Sequence, residues 1–259
     1  MVLMEPLSEA QVIANLRQTE DVSAQYYAAW WLGKMRSRHP QAVGLLLDTL
    51  PALSQIPVDP ERRGVALNAI RALGMLQDAP ALGALLPLLQ SSDYTVREEA
   101  ARSLGLHRAV EAVNPLCRLI AGGPEQAGRE QPGSALLVEP CEAVLEALGA
   151  IGVTTPNILE TITPFTEHPR PLIRAAACRA LLQITGDQRW ASKLEQLLLH
   201  PEPLVRRGAL LDLGATGWIA ALPAIEAAAV ENSLKLVALR GLAEQSGDNS
   251  ILDAMDSLL

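Results

Sequence analysis

The sequence predicts an all-α fold, an α-solenoid of about seven helical hairpins wound into a curved superhelix. Three observations predict it. A ten-residue pattern recurs along the 259 residues, a second apolar segment follows most copies of it, and the chain is rich in Ala and Leu with 4 Trp, 3 Tyr and 1 Phe. The copies lie about 30 to 45 residues apart, a period that suits a two-helix unit.

The recurring pattern consists of Val or a similar residue, often Arg, then two small residues and Leu-Gly or an equivalent pair. It is clearest in VREEAARSLG, from Val96 to Gly105. The other copies are VALNAIRALG (65–74), IRAAACRALL (173–182), VRRGALLDLG (205–214) and, more weakly, AQYYAAWWLG (24–33), PCEAVLEALG (140–149) and LKLVALRGLA (234–243). Hairpins of this kind bury their apolar faces by stacking, which indicates a HEAT-like solenoid. A compact helical bundle is the alternative.

Apolar helices are predicted between the copies, after Pro80, after Pro156 and over 190–199, with a short final helix over 249–259. We expect one domain over residues 1–259.

An inserted segment interrupts the period. Residues 121–139 are too rich in Gly, Pro and charged residues to predict a helix. A loop of this length is typically either functional or disordered, and both alternatives are open at this point.

The charge and composition exclude several classes of function. A formal net charge of -8 opposes binding to a phosphate backbone, so nucleic acid is not an expected partner. No stretch approaches about 18 uninterrupted apolar residues, so we expect no membrane insertion and a cytoplasmic location. The three cysteines lie far apart without a C-x-x-C pair, which predicts free thiols and no metal site.

The aromatic residues concentrate in the run YYAAWW, from Tyr26 to Trp31. In repeat register, with about 100° between successive residues, Tyr26 and Trp30 lie opposite the buried stripe and face the groove. Tyr27 and Trp31 lie at the margin of that stripe, where we expect them to pack within the first hairpin.

The same groove positions in the other copies carry many charged residues. They are Leu67 and Arg71, Glu98 and Arg102, Glu142 and Glu146, Ala175 and Arg179, Arg207 and Leu211, and Leu236 and Arg240. A solvated surface of salt bridges explains most such charge patterns. It does not explain paired aromatic rings, which together with guanidinium groups suit a conjugated ligand with carboxylates or an acidic partner protein.

Motifs of common enzyme classes do not occur in the sequence. It has no phosphate loop, no dinucleotide fingerprint, no G-x-S-x-G and no His-based metal spacing, so neither a nucleotide nor a metal is predicted. The four His are expected at the surface. Cys178 is expected in the core, and Cys141, at the start of a repeat helix, is the one thiol worth testing for reactivity.

Several segments resemble the E subunits of the E/F-type phycobilin lyases, which are HEAT-like repeat proteins. They are 19–36 (TEDVSAQYYAAWWLGKMR), 91–105 (SSDYTVREEAARSLG), 137–149 (LVEPCEAVLEALG), 204–218 (LVRRGALLDLGATGW) and 231–242 (ENSLKLVALRGL). The resemblance covers nearly the whole chain in order, and YYAAWW with the pair GATGW and ENSLK is its most specific part. This family often has Tyr where the chain has Cys141, which argues against an essential thiol there.

The resemblance implies a subunit of a heterodimeric lyase from a cyanobacterium, active with an F-type subunit. Its substrate is phycocyanobilin, and its acceptor is a cysteine of the phycocyanin alpha subunit. The acceptor thiol adds to the ethylidene group on ring A of the bilin and forms a thioether. The nucleophile thus belongs to the acceptor, and the lyase acts by positioning, with an acid to assist.

The resemblance also implies roles for individual residues. Proposed catalytic residues, which accept pyrrole N–H groups and favour a protonated bilin, are Glu98, Glu99 and Glu142. Bilin-binding residues are Tyr26, Trp30 and Tyr94 for the rings and Arg97, Arg102, Arg206 and Arg207 for the propionates. Partner-binding residues are Tyr27, Trp31, Asn232 and Lys235.

Two alternatives are open at this point. Arg97 and Arg206 occupy the usual HEAT arginine position, so their role is equally expected to be tying adjacent repeats together. A non-enzymatic HEAT scaffold that binds phycobiliprotein subunits or aids phycobilisome turnover is the rival function. Within the lyases, action on phycoerythrin or isomerisation of its chromophore is a further possibility.

Overall fold

The computed structural model describes residues 7–259, so the first six residues of the predicted domain lie outside it. Within this range the regular structure is helical, apart from an isolated bridge between Glu130 and Leu137. The chain forms two compact units, one up to Pro115 and one from Leu116, and each is described by itself. The single-domain expectation stays a prediction. No helix in the described part combines the length and apolar character needed to cross a bilayer.

The first unit contains three hairpins. Its helices are α1 (Glu9–Arg17), α2 (Val22–Lys34), α3 (Ala42–Leu47), α4 (Pro60–Leu76), α5 (Pro80–Leu85) and α6 (Tyr94–Leu106). The repeat pattern lies on α2, α4 and α6, which we call repeat helices.

The remaining helices continue the same alternation. They are α7 (Val113–Ile120), α8 (Gly123–Gln126), α9 (Cys141–Ile151), α10 (Pro156–Ile162), α11 (Pro171–Thr185), α12 (Gln188–Leu197), α13 (Pro203–Gly214), α14 (Leu222–Ala227), α15 (Asn232–Ser246) and α16 (Ile251–Asp256). The repeat helices of the second unit are α9, α11, α13 and α15. In sequence order the described residues form seven hairpins and a short final helix, as predicted.

The Leu-Gly pair of the pattern allows successive repeat helices to approach closely. A Cβ atom on Gly33 would lie 2.6 Å from Ala72 Cα, and one on Gly214 would lie 2.4 Å from the Ala238 oxygen. Gly74 and Gly149 have similarly close neighbours in the next repeat helix. Because glycine has no side chain, the backbones of two successive repeat helices can come this close together.

The stripe that the sequence predicts is buried. Val96 is 1% exposed, and Ala100 and Leu104 are fully buried, as are Ala28 and Leu32 of α2. Each unit is held together mainly by aliphatic side chains between its helices. The groove register is less regular than expected, because Leu67 and Ala175 are buried rather than exposed.

The insertion is ordered and contains a helix, so the expectation of a helix-free segment over 121–139 was wrong. After the one-turn helix α8, the chain folds back on itself: the amide of Val138 donates to the Arg129 oxygen at 2.8 Å, and that of Gln131 to the Leu136 oxygen at 2.9 Å. These main-chain hydrogen bonds close a short hairpin although the composition of the segment is not typical of strands. Composition alone therefore does not predict the hairpin.

Two residues at the start of α11 hold the insertion in place. Arg170 donates to Glu130 at 2.6 Å and to the Ala135 oxygen at 2.7 Å. His168 Nε2 donates to the Gly128 oxygen at 2.9 Å, while its Nδ1 accepts from the amide of Arg170. At 3% exposed, His168 is a buried structural residue, so the expectation of a surface histidine was wrong.

Candidate functional site

Three neighbouring aromatic side chains are exposed on α2. Tyr26, Tyr27 and Trp30, which we call the aromatic face, are 48%, 45% and 44% exposed. The rings of Tyr27 and Trp30 lie 5.5 Å apart at 37°. The expectation that Tyr27 packs in the hairpin was wrong, because its ring leans on Trp30 at the surface. Trp31 is half-buried.

Helix α4 supports the aromatic face from one side. The ring of Tyr26 lies against Gly64, where an added Cβ atom would be 3.5 Å from it. The Asn68 amide donates to the Tyr26 main-chain oxygen at 3.1 Å. Tyr26 also lines a groove of 310 Å³ between the first turns of α2 and α4, with Ser23 and Glu61 among the other walls. The tyrosine is therefore held in place with one side of its ring open.

The carboxylates predicted on α6 are paired with arginines. Glu99 accepts from Arg71 of α4 at 2.6 Å, and Glu98 pairs with Arg102 one turn away at 3.4 Å. The bond to Glu99 is the largest cause that raises the pKa of Arg71, and Tyr26 and Glu98 raise it further. Tyr26, Arg71 and the two carboxylates therefore lie within electrostatic range of one another.

Arg71 is a further member of this site. The repeat register places it in the groove at the same position as Arg102, but no binding role was predicted for it. A second arginine of α4, Arg63, binds Asp93 at the start of α6 through two bonds of 2.5 and 2.9 Å. This pair lowers the pKa of Asp93, mainly through the bond itself.

Arg97 and Arg206 are bound to main-chain oxygens. Arg97 donates to Ser91 and Ser92 at 2.8 and 3.2 Å, and its guanidinium lies 5.8 Å from the Tyr94 ring. Arg206 donates to His200 and Pro201 at 2.8 and 2.9 Å. In the same register, Arg174 binds the oxygens of His168 and Pro169. The geometry favours the structural role: each arginine ties its repeat helix to the turn before it.

The remaining predicted residues lie in the second unit. Arg207 forms an exposed ion pair with Glu231. Asn232 donates to the Leu258 oxygen at 3.3 Å, and Lys235 to the Glu226 oxygen at 2.5 Å. These contacts are within the chain and do not test a role in binding a partner.

Glu142 lies on the first turn of α9, one turn before Glu146. It belongs to the second unit, whereas Glu98 and Glu99 belong to the first. In residues 7–259 no group of three or more His, Cys, Asp or Glu side chains is arranged to hold a metal ion.

The three thiols are buried. Burial raises the pKa of Cys141 to about 12 and that of Cys178 to about 11, and it also raises the pKa of Cys117. The expectation that Cys178 lies in the core is confirmed. Cys141 is fully buried at the start of α9, so its position does not favour the reactivity for which it was singled out.

We therefore expect all three cysteines to resist alkylation in the folded protein. A small maleimide at pH 8 should label all three thiols of the protein unfolded in urea. In the same time it should label none in the native protein. Intact-mass spectrometry counts the labels. The reason is that the thiolate is the reactive form and burial disfavours it. Rapid labelling of Cys141 in the native protein would contradict this expectation.

Comparisons with known proteins agree with this architecture. A model described as HEAT repeats matches residues 50–136, 142–214 and 159–243, and one described as PBS lyase HEAT-like repeat matches residues 24–50, which include the aromatic face. The bilin biosynthesis protein RpcE of Synechococcus sp. (strain WH8020) is 63% identical over 98% of this chain and 96% of its own length.

Further relatives are more distant and also match most of the chain. The phycocyanobilin lyase subunit alpha of Synechococcus elongatus is 45% identical over 92% of this chain and 86% of its own length. A solved chain from the complex of CpcE and CpcF of phycocyanin lyase from Nostoc sp. PCC7120 is 40% identical, with a TM-score of 0.85 over 100% of this chain and 98% of that one. The predicted resemblance is confirmed: this chain belongs to the HEAT-repeat family that contains RpcE and the phycocyanobilin lyase alpha subunits.

Proposed function

We propose that the chain is one subunit of a heterodimeric lyase that attaches phycocyanobilin to a cysteine of the phycocyanin alpha subunit through a thioether bond. The observation that carries this proposal is the match to phycocyanobilin lyase alpha subunits over nearly the whole chain, together with the match to the CpcE and CpcF complex. We also propose that an F-type subunit is its partner and the cyanobacterial cytoplasm its place of action.

The chain's own chemistry supports a role in holding the bilin. All three of its thiols are buried, so the nucleophile is the acceptor's cysteine. The open side of the Tyr26 ring and the exposed Trp30 offer flat surfaces for pyrrole rings. Arg71 lies on the adjacent repeat helix α4 and Arg102 on the following one, α6. The bilin's propionates can replace Glu99 and Glu98 as the partners of these arginines.

Reconstitution tests the proposal. The chain, an F-type subunit, phycocyanobilin and apo alpha subunit are combined, and covalent attachment is measured as fluorescence in a denaturing gel. We expect attachment only when both lyase subunits are present. Equal attachment without this chain would end the proposal. A chain that captures the acceptor but never changes the chromophore's linkage would favour the scaffold. Parallel reactions with phycoerythrobilin and with other phycobiliprotein subunits identify the bilin and the acceptor.

The double variant Tyr26→Leu with Trp30→Leu should attach the bilin at least about 30-fold more slowly. Loss of aromatic anchors at a binding surface typically costs 2 kcal/mol or more, which is about this factor. The initial rate of attachment is the measurement. Val110→Leu, an exposed apolar substitution elsewhere in the first unit, is the control. A folded double variant with a normal rate would show that the groove assignment is wrong.

A further inference from the structure

Asn68 buries an amide at a position where the second unit has small or aliphatic residues. It is the fourth residue of the repeat pattern on α4 and is 3% exposed. In the second unit the same position carries Ala143, Ala176, Gly208 and Val237. The two alanines are fully buried there, so a methyl group is enough to pack this position. Burial of an amide costs free energy, and packing between repeat helices does not require it.

Both ends of the Asn68 amide form hydrogen bonds. Its nitrogen donates to the Tyr26 main-chain oxygen at 3.1 Å, and its oxygen accepts from Arg71 Nη1 at 3.1 Å. If the amide were turned over, it would place a donor against Arg71 and an oxygen against the Tyr26 oxygen, so the two contacts select one orientation. Asn68 therefore links α2, which carries the aromatic face, to the guanidinium of Arg71.

Arg71 is held by two side chains and is still accessible from solvent. Its Nη2 donates to Glu99 of α6 at 2.6 Å, and its side chain is 40% exposed. Within residues 7–259 these bonds to Asn68 and Glu99 are the hydrogen bonds that the Arg71 side chain forms. A guanidinium has further N–H groups in the same plane, and their geometry suits a carboxylate. When a ligand carboxylate takes the place of Glu99, Asn68 still holds Nη1.

Helix α4 fixes both parts of the site in the first unit. Gly64 lies against the Tyr26 ring, and Asn68, one turn later, binds the Tyr26 main chain and Arg71. Tyr26 is 48% exposed and lines the open groove of 310 Å³. A flat ring and a guanidinium are thus held by the same helix. Together they suit a ligand in which a short chain with a carboxylate extends from a flat ring.

We propose that Asn68 is a positioning residue, which orients Arg71 beside Tyr26 so that the pair recognises a pyrrole ring together with its propionate. This inference rests on the proposed function. Asn68 does not touch the ligand but holds the guanidinium in the orientation that receives the carboxylate. An arginine that is oriented before the ligand arrives loses less side-chain entropy on binding, so the ligand binds more tightly. The free carboxylate is therefore required for full affinity.

Binding of phycocyanobilin and of its dimethyl ester tests this role. The ester keeps the conjugated rings but offers no negative charge to Arg71. Each compound is titrated into the full chain paired with an F-type subunit, without the acceptor, and the ratio of the two dissociation constants is measured. Asn68→Ala should weaken binding of the free acid about tenfold and that of the ester less than about twofold. An equal loss for both compounds, or an unchanged ratio, would overturn the proposal.

Two further variants separate positioning from a general loss of structure. Ser103→Ala removes a buried bond of the same kind, which Ser103 of α6 donates to the Ile70 oxygen at 2.9 Å, and it should leave the ratio unchanged. Arg71→Gln removes the cation and should itself lower the ratio about tenfold. In this background Asn68→Ala should have no further effect on the ratio, because Asn68 acts through Arg71. An effect of Asn68→Ala that persists without the arginine would overturn the proposal.

The attachment reaction distinguishes this inference from the proposed function. Asn68→Ala should raise KM for phycocyanobilin about tenfold and change kcat by less than about twofold, because the bond to the propionate is equally strong before and during the reaction. If the unsubstituted pair attaches no bilin but Asn68→Ala reduces its preference for the free acid, the proposed function fails and the positioning role stands. If the pair attaches the bilin but binds acid and ester equally, the function stands and this inference fails.

Discussion

Gly214→Ala should lower the free energy of unfolding by about 3 kcal/mol, near the upper end of the cost of overpacking. The new methyl group would lie 2.4 Å from the Ala238 oxygen and 2.7 Å from its Cα. Both are backbone atoms of α15, so no flexible side chain can move aside, and the two helices must separate. Urea denaturation followed by circular dichroism measures the effect.

The matched control is Gly83→Ala. An added Cβ atom on Gly83, in α5, has no neighbour within 4 Å. The substitution should therefore stabilise the chain by about 0.5 to 1 kcal/mol, because alanine favours the helix and restricts the unfolded chain. Equal effects of the two substitutions would contradict the view that the repeat glycine serves close helix approach.

Phe165→Ala should cost about 3 to 5 kcal/mol, since the side chain is fully buried and the residual cavity cannot close completely. Phe165 is the single phenylalanine of the chain. Its ring lies 6.4 Å from that of His168 and nearly parallel to it, at 14°. The loss should therefore extend to the insertion that His168 holds through Gly128.

Thermal unfolding and hydrogen exchange together test this second expectation. The amides of Gln131 and Val138 should exchange faster in Phe165→Ala, because the hairpin they close loses its support. Phe165→Leu keeps most of the side-chain volume, so it should lower the free energy of unfolding by about 1.5 kcal/mol or less. The same amides should exchange more slowly in Phe165→Leu than in Phe165→Ala. Fast exchange in the leucine variant at full stability would show that the insertion does not depend on this packing.

Much of the fold was predictable because the repeat pattern records burial directly. A helical period with small residues at fixed positions specifies which face is covered, and the stripe of Val96, Ala100 and Leu104 is buried accordingly. The exposure of Tyr26 and Trp30 followed from the same register. The exposure of Tyr27 could not be predicted from this register. A ring at the margin of the buried stripe can turn inward or outward, and contact with Trp30 holds the Tyr27 ring at the surface.

The sequence by itself determined the hairpins, their number and the aromatic run, since these depend on local periodicity and composition. Tertiary structure decided the pairing of charges: that Arg71 binds Glu99, that Arg97 and Arg206 bind main-chain oxygens, and that Asp212 shares Arg179 with Glu146. The physical reason is that ion pairing and proton affinity depend on distance and burial between residues far apart in sequence. The position of the insertion likewise depends on tertiary contacts, because it is held by Arg170 and His168, which follow it in the chain.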